Sequence, residues 1–266
     1  LEALQVSTGM PWFWTIVAGS FAARLLLIPF AASSMSNAAK LAEHQPEMKA
    51  VQAQVKAAYE QGNQIEMQRA ALAQRALFKR IGVNPLKNLI PMFVQLPVTI
   101  GLFLGVKRMC DFPVEQLKIS GVSFLTDLTV PDPTWVLPIL GAIAMNAQIT
   151  LSARDMATSD AVPHMINAFR VLSVVGTAWI GFFPAGTQLT ILMGTLALGV
   201  QTLLFRVPMF RRLFGLPLSP KNIGNKSVSI AESFKYAKNW FTKESNVARE
   251  QARTKQTVQT ITRRRR

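Results

Sequence analysis

"PWFWTIVAGSFAARLLLIPFAASS", residues 11–34, decides the fold. As a helix rising 1.5 Å per residue it is ~36 Å long, enough to cross a hydrocarbon core of ~30 Å. Its one charged side chain, Arg24, lies near the midpoint. Four further apolar stretches follow, at about 86–106, 135–151, 165–183 and 185–205, with the first span at 12–34. Each is near the length a bilayer requires. The third and fourth are short and hold polar residues, so a buried helix of a soluble protein is the alternative for those two. The whole reads as an all-α polytopic membrane protein with five transmembrane helices. Half of the 266 residues are hydrophobic and the net charge is +15.

The charges divide the chain by side. Residues 35–84 carry seven basic side chains against four acidic, and the tail from Arg206 carries fifteen against three, which is +12 of the +15. The loop between spans two and three has three basic and four acidic residues. With five spans, the positive-inside rule places the first loop and the tail in the cytoplasm or its equivalent, with the N-terminus opposite. The expected units are a 1–11 N-terminal segment, span 12–34, a loop 35–84, spans two to five over 85–210, and a basic tail 211–266. A start at Leu1 rather than Met reads as a processed form, with any targeting peptide outside the chain. One cysteine, Cys110, excludes an internal disulfide framework.

The first loop reads as a helical hairpin. Leu41, His44, Met48, Val51, Val55 and Ala58 recur in steps of three and four, "QGN" at 61–63 supplies a turn, and Ile65, Leu72 and Ala76 continue the seam on the return. Pro46 kinks the first arm or marks a fresh start. "GVNP" (82–85) then breaks the helix, with Asn84 expected to cap the second span and Pro85 at its first position. In the tail, Ser229-x-x-Glu232 is a capping box. Beyond it Ile230, Phe234, Ala237 and Phe241 share a helical face among lysines. Such a basic amphipathic helix suits a membrane surface, a partner groove or nucleic-acid phosphates, and a solvated tail is the bland alternative.

No catalytic, cofactor or metal constellation is present: two histidines, His44 and His164, and no HExxH, CxxC or phosphate loop. All fourteen acidic residues fall outside the five spans, which counts against ion-coupled transport and leaves a passive channel open. An arginine at a span's centre costs about 2.5–3.5 kcal/mol to insert, so Arg24 needs water or a partner. The other spans hold no acidic residue and offer neutral polar groups: Gln95 and Thr99; Asn146 and Gln148; Ser173 and Thr177; Gln188, Thr190, Thr195 and Gln201. A charge facing such groups favours a water-filled polar groove among the helices. The alternative is a depth anchor or a lipid-phosphate ligand.

These stretches resemble the YidC/Oxa family of membrane-protein insertases, most like its mitochondrial Oxa branch. "ARLLLIPF" (23–30) is similar to the first core span, whose arginine corresponds to Arg24. "NPLKNLIPMFVQLPVTIGLF" (84–103), with Pro91 and Pro97, is similar to the second. "DLTVPDPTWVLPI" (127–139) resembles the approach to the third, and "FFPAG" (182–186) with Gln201 the last pair. One departure stands out. Where the family often has an aromatic pair and then an asparagine in the fifth span, this chain has Thr190, Ile191 and Thr195, a smaller and more polar wall.

The resemblance implies an insertase, not an enzyme, that places mitochondrially made and some matrix-sorted proteins into the mitochondrial inner membrane, co-translationally and without ATP. The groove residues would be Arg24, Gln95, Thr99, Asn146, Gln148, Thr177, Gln188, Thr195 and Gln201. The tail would bind the mitochondrial ribosome, at rRNA phosphates and proteins near the exit tunnel, through Lys221, Lys226, Lys235, Lys238, Lys243, Arg249, Arg253, Lys255, Arg263, Arg264, Arg265 and Arg266. The other partners would be nascent membrane-protein chains and membrane lipids, with a homo-oligomer left open. The N-terminus would lie in the intermembrane space and the C-terminus in the matrix. Two rival functions are a passive channel or transporter for a small anion, and a ribosome tether without insertion activity.

Overall fold

The computed structural model describes residues 1–62, 64–88, 90–112, 114–123, 125–153, 162–215, 228–242 and 245. They form α1 (Glu2–Thr8), α2 (Trp12–Glu43), α3 (Gln45–Glu60), α4 (Gln64–Arg80), α5 (Ile90–Asp111), α6 (Val136–Ala153), α7 (Val162–Ile180), α8 (Ala185–Leu204) and α9 (Pro208–Leu213), and a last helix, α10, over 230–242. The fold is all-α. Four helices among the described residues are long and apolar enough to cross a membrane: Trp12–Leu41 of α2, Phe93–Asp111 of α5, α6 and α8. The expected fourth span coincides with α7, which has 19 residues. His164, Asn167 and Arg170 in its first half leave it less apolar than the other four.

A bilayer removes the need for an apolar core on every side, and the bundle reflects this. Leu25, Leu26, Phe93, Ile100, Ile143, Leu172, Val175 and Trp179 are all exposed, as lipid-facing side chains are. The main apolar core gathers at one end. Trp12 and Ile16 of α2, Val106 and Cys110 of α5, and Ala185, Leu189 and Leu192 of α8 close around Leu117, Leu125 and Leu128. Those three leucines belong to the loop between α5 and α6. In an aqueous loop, each such burial contributes about 1.5–3 kcal/mol, so the loop is held as a plug.

Polar bonds fix the plug. The first N–H groups of a helix have no partner inside it; here Ala185 N donates to Val130 O (2.8 Å) and Gly186 N to Leu128 O (2.9 Å). Gly186 permits this approach, because a Cβ there would lie 3.2 Å from Cys110 Sγ and 3.3 Å from Leu128 O. Trp12 Nε1 donates to Gln116 Oε1 (3.0 Å). Asp132, almost wholly buried, accepts from Thr134 N, Thr134 Oγ1 and Leu137 N at 2.6–2.9 Å. Burial alone would raise its pKa; the bonds from Thr134 and from the backbone of Leu137, Thr134 and Val136 outweigh that and hold the carboxyl below its ordinary value.

The opposite end of the bundle carries the hairpin. The apolar span does not end at residue 34 as a helix: α2 continues to Glu43, because hydropathy falls there while helix-compatible residues continue. The chain then restarts at Gln45–Pro46, with Pro46 in the first turn. α3 packs on α4, and Arg80 pairs with Glu47. The seam on α3 runs through Met48 and Ala58 as expected. On α4 it runs through Ala70 and Leu77, whereas Ile65 and Leu72 are exposed, so the expected return face is corrected by about one step. Gly82 (φ 64°) ends α4 in a Schellman motif, with Val83 N donating to Phe78 O and Gly82 N to Lys79 O. Asn84 caps a short 3-10 turn, Pro85–Asn88, by accepting from Leu86 N at 2.9 Å, and does not cap the span itself. Asn37 of α2 clasps Asn84 through Nδ2 to its carbonyl (2.8 Å) and through Oδ1 to its N–H (3.3 Å).

Candidate functional site: a polar groove at mid-membrane

α2, α5 and α8 pack pairwise, with α6 behind α8. They leave a cavity of about 410 Å³, lined by Ser20 and Arg24 of α2, Gln95 and Thr99 of α5, Gln148 of α6, and Thr190 and Thr195 of α8, among apolar neighbours. Space of this size holds on the order of ten waters. A second cavity, about 240 Å³, shares Arg24, Leu27, Gln95 and Leu198 and adds Phe30, Ala31, Pro91 and Gln201. Those added residues lie toward the hairpin end of their helices. The two cavities therefore make one track from mid-span toward the hairpin, with a few polar side chains set into mostly apolar walls. The opposite direction is closed by Ile16, Val106 and Leu189 of the core.

Among the described residues, Arg24 is the only cation on this track. Its Nη1 donates to Gln95 Oε1 at 2.5 Å, and Gln95 Nε2 in turn donates to Thr99 Oγ1 at 2.7 Å. No acidic residue pairs with Arg24 among the described residues. A guanidinium carries five N–H donors, and one is used in this set. Acceptors stand on the same walls: Gln148 Oε1 and Gln201 Oε1 are buried without a hydrogen-bond partner among the described residues. Thr190 and Thr195 turn their hydroxyl protons to Gly186 O and Ile191 O of their own helix, which leaves their oxygens as acceptors. Donors and acceptors together suit water, or the backbone and polar side chains of a peptide, and they suit no bond-making chemistry. Among the described residues no group of His, Cys, Asp or Glu could hold a metal.

Of the nine residues expected in the groove, Arg24, Gln95, Thr99, Gln148, Thr195 and Gln201 come together on this track. Thr177 and Gln188 line a separate cavity of about 310 Å³ between α6, α7 and α8. Gln188 Nε2 donates to Gly181 O and Phe183 O and so ties down the α7–α8 turn. Asn146 faces α7, donating to Ser173 Oγ at 2.9 Å. The reason is helical geometry: Asn146 and Gln148 are two positions apart, so they point to opposite faces of α6. Gln148 accordingly meets Thr202 of α8 at 3.2 Å.

Sequence patterning did not single out Arg170, a cation on α7 within the expected fourth span. Its Nη2 donates to Thr150 Oγ1 of α6 at 3.1 Å. A charge count over residues 165–183 alone would have found it. Of the twelve basic tail residues, Lys235 and Lys238 lie on α10 and are exposed; the other ten lie outside the described residues.

Comparison with known proteins places this geometry in context. The model of a family described as 60Kd inner membrane protein matches residues 3–211. The chain is 30% identical over 217 residues to mitochondrial inner membrane protein OXA1L of Mus musculus, which covers 82% of this chain and 50% of that protein. It is 28% identical over 156 residues to mitochondrial inner membrane protein oxa1-1 of Schizosaccharomyces pombe, 59% of this chain and 42% of that one. It is 29% identical over 178 residues to membrane protein insertase YidC of Cupriavidus taiwanensis, 67% of this chain and 29% of that one. The chain thus spans half or less of the length of these relatives.

Proposed function

From the premise that this chain belongs to the 60Kd inner membrane protein family, whose relatives include the Oxa and YidC proteins, we propose that it is a membrane-protein insertase. The observation that carries the proposal is Arg24: a mid-span cation without an acidic partner among the described residues, on a polar track that leads toward the hairpin and is sealed at the other end. A substrate helix enters lipid favourably through its ~20 apolar residues; the obstacle is the polar flank that must follow. A wet indentation that reaches mid-membrane shortens the apolar path of that flank. Arg24 attracts acidic or hydrated segments. The substrate's apolar stretch leaves sideways into lipid. No bond is made or broken, so neither ATP nor a catalytic residue is required. The seal argues against the channel reading, because a solute passing Arg24 meets packed Ile16, Val106 and Leu189.

In this reading the membrane is the mitochondrial inner membrane. The hairpin and the tail lie in the matrix, the N-terminus and the 112–135 plug in the intermembrane space, and the basic tail holds a translating ribosome by phosphate contacts. The test is reconstitution. Purified protein in liposomes, given ribosome-bound nascent membrane protein and no ATP, should convert it to a protease-protected, carbonate-resistant form. Arg24→Ala should reduce that yield several-fold while Arg170→Ala leaves most of it. Liposomes with and without the protein giving equal yields would defeat the proposal.

A further inference from the structure

α10 lies beyond the matched family region, which ends at 211, and its contacts point to a partner of their own. On a 3.6-residue period, Tyr236, Trp240, Ser233, Ile230, Phe241 and Phe234 fall within one arc of about 160°. Lys235 stands opposite the middle of the arc, and Lys238 flanks its Phe234 edge. The N-terminus of the helix is capped, with Ser229 N donating to Glu232 Oε2 at 3.0 Å.

Part of the arc is docked. Ser233 is buried. Its Oγ accepts from Asn167 Nδ2 (2.8 Å), donates to Ser229 O (3.2 Å) and lies 3.0 Å from His164 Nδ1. Asn167 Nδ2 also donates to Val228 O at 2.8 Å. Tyr236 stacks on His164, with ring centroids 4.0 Å apart and planes within 10°. His164 and Asn167 occupy the first two turns of α7, so α10 is fastened to the hairpin-side end of the bundle.

The rest of the arc is open. Phe234 is 72% exposed and Phe241 69%, and Ile230 and Trp240 are each about half exposed. The level of the helix says what covers them. Arg170 of α7 meets Thr150, one turn before α6 ends at Ala153, and α6 is long and apolar enough to cross a membrane. His164 and Asn167, still nearer the start of α7, therefore stand level with the end of that span, and a helix bonded to them lies at headgroup depth. Aromatic side chains settle there, and lysines beside them meet lipid phosphates. The face left open is aromatic and aliphatic rather than basic, which suits lipid better than an RNA phosphate surface.

We infer that α10 is an interfacial helix: locked to α7 through Ser233, it lays Ile230, Phe234, Trp240 and Phe241 into the anionic lipid surface of the membrane that holds the bundle. The remainder of the tail then leaves from a fixed point on that surface. This holds whether or not the protein is an insertase.

Site-directed spin labelling of the full chain tests it. In a Cys110→Ala background, single cysteines replace Phe234, Phe241 or Lys235, and the labelled proteins are placed in nanodiscs of phosphatidylcholine with and without phosphatidylglycerol. Collision with oxygen, which partitions into lipid, is compared with collision with a water-soluble nickel chelate. The labels at 234 and 241 should favour oxygen several-fold more than the label at 235, and the contrast should grow with the anionic lipid. Equal access of the chelate to all three positions would overturn the inference. So would protection at 234 and 241 that arises only when ribosomes are added, since the face would then belong to the ribosome. A contrast unchanged by phosphatidylglycerol would overturn the anionic preference.

Discussion

Gln95→Ala separates a wet groove from a dry one. The substitution removes the acceptor that Arg24 Nη1 reaches at 2.5 Å and the donor bonded to Thr99 Oγ1 at 2.7 Å. Thr99 is exposed, so its hydroxyl is not left stranded. The outcome depends on what surrounds the guanidinium. In a water-filled groove the lost acceptor is replaced at once, and the change is the net value of one exchanged hydrogen bond, about 1 kcal/mol. In a dry groove the cation is left buried and unpaired, at a cost of about 3–5 kcal/mol. Equilibrium unfolding of the purified protein in mixed micelles reads the difference, and the Arg24→Met/Gln95→Ala double-mutant cycle isolates the pair. A loss near 1 kcal/mol is expected. A loss above about 3 kcal/mol would refute the hydrated groove and return Arg24 to a buried, locally paired anchor.

Other perturbations act on the frame around the groove. Gly121→Ala should dislodge the plug, because its Cβ would collide with Leu125 O and Thr126 O; the measurement is faster maleimide labelling of Cys110, which the plug keeps buried. Asp132→Ala strips the acceptor from the N–H groups of Thr134 and Leu137 and should weaken the loop by about 2–4 kcal/mol, seen as proteolysis between 112 and 135. Because the Asp132 carboxyl is held below its ordinary pKa, its contribution is complete above the unfolded-state value and fades as pH falls through the folded one. Loop protection should therefore decline in acid, with less decline in Asp132→Asn. Asn37→Ala opens the clasp on Asn84 and should loosen the hairpin by about 1–2 kcal/mol, read as faster amide exchange at residues 82–88.

Hydropathy located four helices long and apolar enough to cross a membrane, because an apolar run longer than a bilayer has few other uses; the other expected span, 165–183, falls on α7, which is helical but not among those four. It could not show that α2 continues to Glu43, since solubility changes at Ser34 while helix propensity does not. The hairpin's return face was misphased because Ala70, Ala71, Ala73 and Ala76 surround that helix and small side chains mark no face. The plug was invisible: Leu117, Leu125 and Leu128 follow neither a helical nor a strand period, and only the tertiary contacts bury them. Composition singled out nine polar residues for a groove, and six of them line the Arg24 track. Their division between two cavities follows from the direction each side chain takes on its helix, and for Asn146 and Gln148 that was already written in their spacing.

Site-specific photocrosslinking measures the groove's occupant most directly. A photoreactive residue replaces Gln95 or Thr195 on the Arg24 track, or Thr177 in the separate α6–α7–α8 cavity, and the protein is presented with a stalled, ribosome-bound membrane protein. Strong crosslinks from 95 and 195, weak ones from 177, and loss of the first two in Arg24→Ala are the expected result. Crosslinks confined to the hairpin and tail would contradict the insertase mechanism and leave a ribosome tether in its place.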